Sequence, residues 1–164
     1  MYKDFREYLS LLEENHLLYR VQKEVDPAWE IGAILRQIMV GLPESRRYGV
    51  LFENVMGCKF KAAIGVVGMS RKIVEVGLGV SYEKRLALGV NALENPIEPI
   101  LVDSGPCKEN ILKDDSIDLS TIPFITWSAG LDGGPFHTSG AIITKDFRTG
   151  KRNVAVYRMN VKGK

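Results

Sequence analysis

The chain has 164 residues, 45% hydrophobic and 26% charged, which suits one ordinary domain, or one domain and part of a second, and excludes a disordered chain. Twenty-two basic against twenty acidic residues leave a formal net charge of +2, so bulk charge argues against a nucleic-acid partner. The longest apolar stretch, Ala62 to Met69, contains two glycines and is too short for a transmembrane segment, and the N-terminus lacks the apolar core of a secretory signal; a cytoplasmic protein is expected.

In chain order, Asp4 with Glu7 three residues later resembles a capping box, and Phe5, Tyr8, Leu9 and Leu12 follow on one helical stripe that frays near Glu13–Asn15. Leu17 to Val25 alternates as an edge strand. Asp26-Pro27 supplies a cap and a first-turn proline for a second helix, whose core stripe is Ile31, Ile34, Leu35 and Ile38 and whose end is Gly41 with Pro43. Val50–Asn54 and Phe60–Val67 read as two strands of a hairpin around Gly57. Ser70 and Ser81 can cap helices running towards Gly77 and Leu88. Gly77-Leu78-Gly79 is not a dinucleotide fingerprint, because position 82 is Tyr and no strand leads into it; no P-loop occurs either.

Composition shifts at Asn95-Pro96-Ile97-Glu98-Pro99 and Ser104-Gly105-Pro106, which reads as a boundary. A polar stretch, Ile111–Pro123, and a glycine-dense loop, Trp127–Pro135, precede two strands, Gly140–Thr144 and Asn153–Val161, joined by a turn-rich connection at Lys145–Gly150. Cys58 and Cys107 form no C-x-x-C pair, and with only two histidines a structural zinc site is nearly excluded; free thiols are expected. His137 is expected to be a loop or surface histidine.

Two places could carry chemistry. Asp132-Gly133-Gly134-Pro135 could bring backbone N–H groups close to a ligand, or be a plain tight turn. The last strand sets Asn153, Tyr157, Arg152 and Arg158 among Ala155, Val156 and Met159, which argue for partial burial. A buried arginine needs an anionic partner, and no Asp or Glu occurs from Phe147 onward, so that partner must lie elsewhere. Asn153 and Arg158, five positions apart, face opposite sides of a regular strand; either a β-bulge intervenes or the two groups act from different sides.

Asp132-Gly133-Gly134, Thr138-Ser139-Gly140, Thr144-Lys145-Asp146, Thr149-Gly150, Arg152-Asn153-Val154, Val156-Tyr157-Arg158-Met159 and Lys162-Gly163-Lys164 resemble, in this order, the block opening the cofactor domain of the UbiD family. That family comprises prenylated-FMN-dependent (de)carboxylases. Val25-Asp26-Pro27, Glu30-Ile31, Leu51-Phe52-Glu53-Asn54-Val55, Gly57 and Ile122-Pro123 are similar to the family's earlier segments. The resemblance implies an α+β fold: a mixed α/β domain over residues 1–100, then, over 101–164, a linker and the first strands of a split β-barrel of the flavin-reductase type.

It also implies reversible decarboxylation of aromatic or α,β-unsaturated acids on prenylated FMN, with Mn²⁺ or Mg²⁺ and, in many members, K⁺. By position, Asn153 matches the metal-ligand asparagine, and Val156, Tyr157 and Arg158 match the stretch lining the cofactor. Arg158 matches the catalytic arginine paired with carboxylates, and Thr138 a threonine near the cofactor. An asparagine carbonyl adds an oxygen ligand without charge, and an arginine holds a carboxylate ionised. The family's other metal ligands and its catalytic acid lie in later segments. The chain is therefore expected to be the N-terminal part of such an enzyme, inactive alone and associating with copies of itself or with a complementary large portion. The alternatives are a natural small subunit of a split decarboxylase and a non-catalytic flavin-binding or interaction module.

Overall fold

A computed structural model describes residues 2–163. Asp4 starts α1 (Phe5–Glu14) by accepting the Glu7 N–H at 2.9 Å. Only half of the expected capping box forms, because the Glu7 carboxylate takes the N–H of Lys3, one residue before the cap. Tyr8 and Leu12 carry the stripe into the core, while Phe5 stays exposed.

Three short strands make the first sheet: β1 (Leu18–Val21), β2 (Gly49–Phe52) and β3 (Ala62–Ile64), in that spatial order. β1 lies at an edge and runs parallel to β2, with Leu18 opposite Gly49; β3 runs antiparallel, with Leu51 opposite Ala63. A parallel pair needs a crossover, which α2 (Glu30–Gly41) supplies. All four residues of β2 are buried, as a central strand covered on both faces requires. β1 stops short of the expected Val25 because Gln22, Lys23 and Glu24 are polar and exposed; Val25 returns only as an isolated bridge to Val55.

α2 starts later than Asp26-Pro27 implies. The Asp26 carboxylate accepts the Ala28 N–H at 2.7 Å and makes a turn first, and the Pro27 carbonyl is engaged by the N–H of Thr126 at 3.1 Å. Ser70 caps α3 (Arg71–Leu78), accepting the Ile73 N–H at 3.4 Å. Gly79 ends that helix in the left-handed region (φ 69°), which explains the Gly-Leu-Gly run without a ligand. After a 3-10 turn at Tyr82–Lys84, α4 (Arg85–Glu94) runs beyond the expected Leu88; the Ser81 side chain makes no capping bond to the turn.

From Asn95 to Gly105 no regular element forms, and Ile97, Ile100 and Leu101 are exposed. Ile111–Pro123 contains only two 3-10 turns, Asp114–Ser116 and Leu119–Thr121. The chain then returns to the core around the first sheet. Lys59 donates to the Thr121 carbonyl at 2.9 Å, and Ile125 (5% exposed) joins the core with Phe52, Leu12 and Ile31. Gly32 of α2 is buried where this segment crosses: a Cβ there would lie 2.7 Å from the Trp127 carbonyl oxygen. The glycine-dense loop is thus anchored against α2 at its N-terminal end.

β4 (Phe136–Lys145) and β5 (Arg152–Asn160) form a separate two-stranded antiparallel sheet. β4 begins four residues before the expected Gly140, because Phe136 already pairs with Asn160 and bridges Ile125. Asp146 closes the hairpin turn, its carboxylate accepting the N–H groups of Arg148 (2.8 Å) and Thr149 (2.6 Å), bonds that hold it below the usual carboxylate range. No helix among the described residues is long and apolar enough to cross a membrane.

Candidate functional site

Register along the hairpin decides where the candidate residues stand. Pairing is regular from Asn153 opposite Thr144 to Tyr157 opposite Gly140; the one shift lies between His137 and Gly140, where β4 carries an extra residue. The bulge is therefore on β4, at Thr138–Ser139, and β5 keeps its alternation. Asn153 and Arg158 fall on opposite faces of β5, about 17 Å apart by strand rise. The structure does not bring these two side chains together.

The expected partial burial of β5 is corrected. Val156 is 68% exposed and Met159 41%, with only Ala155 and Asn160 half-buried, because a two-stranded sheet has nothing packed across most of its surface. Val156 lies opposite Ala141 and the exposed Tyr157 opposite Gly140. Thr138, in the bulge, lines a cleft of about 620 Å³ between the first sheet and residues 123–139, with Met39, Ile64, Phe124, Trp127 and Phe136 among its walls. None of Asn153, Val156, Tyr157 or Arg158 reaches that cleft. His137 is not a loop residue: it sits in β4, half-buried, with its ring edge-on to Phe124 at 5.7 Å. Its ring also covers Gly140, where a Cβ would lie 2.2 Å from the imidazole.

Arg158 has the most developed surroundings. Its Nη2 donates to Asp132 Oδ1 at 3.0 Å, and its guanidinium carbon stands 3.7 Å above the Phe136 ring. The other carboxylate oxygen, Oδ2, accepts the Ser128 N–H at 2.8 Å, and the Asp132 N–H donates to the Ser128 carbonyl at 2.9 Å. The Ser128 N–H, and after it the Arg158 guanidinium, hold the Asp132 carboxyl below its ordinary range. Gly134 (φ 131°) turns the chain from this acid into β4, and the Pro135 carbonyl accepts from the Val161 N–H at 3.0 Å, tying loop to β5.

Sequence reasoning did not single out Asp132 and Phe136 as the partners of Arg158. A signal existed: the two acids nearest upstream of β5 are Asp146 and Asp132, and Asp146 is consumed by the hairpin turn. The structure favours the turn reading of Asp-Gly-Gly, with the acid bonded both to the turn backbone and to Arg158. Among the described residues no group of three or more His, Cys, Asp or Glu could hold a metal, and both cysteines are free. Asn153 would supply one oxygen and no more.

Comparison with known proteins agrees along the chain. The family model for the 3-octaprenyl-4-hydroxybenzoate carboxy-lyase N-terminal domain matches residues 9–93, and that for the Rift-related domain of the same carboxy-lyases matches residues 100–164. The UbiD-class enzyme HmfF from Pelotomaculum thermopropionicum, solved in complex with prenylated FMN, superposes with a TM-score of 0.85 at 37% identity, over 96% of this chain and 36% of that one. Vanillic acid decarboxylase of Sedimentibacter hydroxybenzoicus, in closed form, gives a TM-score of 0.86 at 30% identity, over 99% of this chain and 36% of its own. The uncharacterized protein sll0936 of Synechocystis is 33% identical across the whole chain, which covers 36% of it. The chain thus spans about a third of the length of these relatives. With two consecutive family models matched and an α/β fold shared with UbiD-class enzymes, the chain belongs to the UbiD family.

Proposed function

We propose that this chain is the N-terminal part of a prenylated-FMN-dependent decarboxylase acting reversibly on aromatic or α,β-unsaturated carboxylic acids. The observation carrying this reading is β5 itself. It presents Asn153, Val156, Tyr157 and Arg158 in one run, on a fold that superposes on an enzyme solved with prenylated FMN. In this reading residues 1–100 form a supporting α/β domain, and β4 and β5 open a split β-barrel completed by later segments. Among the described residues the outer edges of the two-stranded sheet carry only the bridge of Phe136 to Ile125, and such a barrel would continue from them.

The residues fit the cofactor in part. Val156 and Arg158 share one face of β5, an exposed apolar side chain able to meet a flat ring beside a guanidinium for an anionic group, while the exposed Tyr157 shares the other face with Asn153. Thr138, one strand away in the bulge, offers a hydroxyl. The prenylated flavin would supply the electron sink for loss of carbon dioxide. Asn153 would give a neutral oxygen to Mn²⁺ or Mg²⁺ at the phosphate, with K⁺ as a further ion and the remaining metal ligands contributed from outside this stretch. Arg158 would bind the substrate carboxylate or hold a catalytic carboxylate ionised. The separation of Asn153 from Arg158 along β5 accords with metal binding and acid chemistry at different ends of the cofactor.

The partners in this reading are the carboxylic acid, a complementary C-terminal portion or large subunit, and further copies of the protein, in the cytoplasm. The test is reconstitution of the complete protein with prenylated FMN and Mn²⁺. A protein-bound flavin spectrum with release of carbon dioxide from an aromatic or acrylic acid is expected. Bound flavin without decarboxylation of any such acid would favour a flavin-binding module instead, and absence of bound flavin would overturn the reading.

A further inference from the structure

We propose that Asp132 is a positioning residue: with the ring of Phe136 it fixes the orientation of the Arg158 guanidinium and leaves the rest of that group free for a second carboxylate. The inference rests on the reading of Arg158 given above. Arg158 is half-exposed on a two-stranded sheet, where a long side chain left to solvent samples many rotamers. Two contacts remove that freedom: the Asp132 carboxylate at 3.0 Å on Nη2 and the aromatic face at 3.7 Å.

Asp132 is suited to the task because it is itself held. Its side chain is only 17% exposed, its second oxygen is bound by the Ser128 N–H, and its loop is tied to β5 by the Val161 N–H and the Asn160 amide, both donating to Pro135. Contrast with Arg20 separates a positioned arginine from a saturated one. Arg20 spends Nε and Nη2 on both oxygens of Glu13 and Nη1 on Glu53. Arg158 engages a single oxygen through Nη2 and makes no other hydrogen bond among the described residues. A guanidinium carries five N–H donors in a rigid fork, so one edge is anchored while another stays available.

The test compares Asp132→Asn, Asp132→Glu, Phe136→Leu and Arg158→Gln. Asparagine can still accept the Ser128 N–H, so the turn is retained while the charge facing Arg158 is lost. In ¹⁵N NMR of the 164-residue chain, Arg158 Nε–H is expected to be ordered in the wild type. In Asp132→Asn it should become as mobile as that of Arg152, with the thermal midpoint unchanged. In the complete protein loaded with prenylated FMN and Mn²⁺, Asp132→Asn should lower kcat at least about tenfold with KM nearly unchanged, and Asp132→Glu should recover part of the loss. Phe136→Leu should loosen Arg158 to a smaller degree. An Arg158 side chain equally ordered in wild type and Asp132→Asn, or a kcat unaffected by that substitution, would overturn the proposal. Turnover by Arg158→Gln would instead sink the functional reading, leaving the NMR comparison to decide the positioning role by itself.

Discussion

Two glycine-to-alanine substitutions, both within helices, should change stability in opposite directions. Gly32 lies in α2 under the Thr126–Trp127 backbone, where a new Cβ would meet the Trp127 oxygen at 2.7 Å and the Thr126 oxygen at 3.0 Å. Gly89 lies in α4, exposed, with no atom within 4 Å of where a Cβ would sit. Alanine gains about 1 kcal/mol over glycine inside a helix at either place. At Gly32 the obstacle is backbone, already pinned by the Thr126 N–H to Pro27, so it cannot swing aside as a side-chain tip would. Overpacking of this kind costs roughly 1–3 kcal/mol, and more where backbone must move. Gly32→Ala should therefore be net destabilising by about 1–2 kcal/mol, and Gly89→Ala stabilising by about 0.5–1 kcal/mol. For a chain of this size each kcal/mol moves the thermal midpoint by about 2–4 °C. Thermal unfolding followed by circular dichroism, with tryptophan fluorescence reporting on the half-buried Trp127, measures both. A Gly32→Ala protein as stable as wild type, with unchanged Trp127 emission, would show that the 126–127 segment does not rest on α2.

Phe52→Ala removes a fully buried ring from the central strand and should cost about 3–5 kcal/mol by urea unfolding; a loss below about 1 kcal/mol would contradict the core assignment. Tyr8 donates its hydroxyl to the Val66 carbonyl at 2.5 Å, and burial, then the neighbouring Tyr2, pushes its phenol from 10.0 up to about 12. Because the folded value is raised, this contribution is fully present below pH 10 and is lost as pH rises through about 12. The stability difference between wild type and Tyr8→Phe should be flat up to pH 10 and shrink above it; a difference unchanged through pH 12 would refute the assignment.

Local chemistry was legible where a side chain acts on its own backbone. Asp4 and Ser70 cap as their positions imply, and the Ile31 and Ile38 stripe faces the core. The hairpin around Gly57 and the paired strands before and after Asp146 also follow from local patterning. Element ends were less legible because distant segments set them: Thr126 delays α2 by engaging Pro27, and Ile125 draws Phe136 into β4 early. Burial of β5 was misjudged since apolar residues on a strand reveal a need for cover and not its presence. The candidate site was legible only through resemblance. The Asp132–Arg158 pair joins residues 26 positions apart, and no periodicity within either segment encodes such a contact.

The central claim, that β5 carries one metal ligand and the reacting arginine of a decarboxylase, is tested most directly by separating the two roles. The complete protein, as wild type, Asn153→Ala and Arg158→Ala, would be loaded with prenylated FMN and Mn²⁺, then measured for bound metal, bound flavin and carbon dioxide release. The account predicts that Asn153→Ala loses manganese and flavin, whereas Arg158→Ala keeps both and loses decarboxylation. Near-normal carbon dioxide release by Arg158→Ala, or full manganese occupancy in Asn153→Ala, would contradict it.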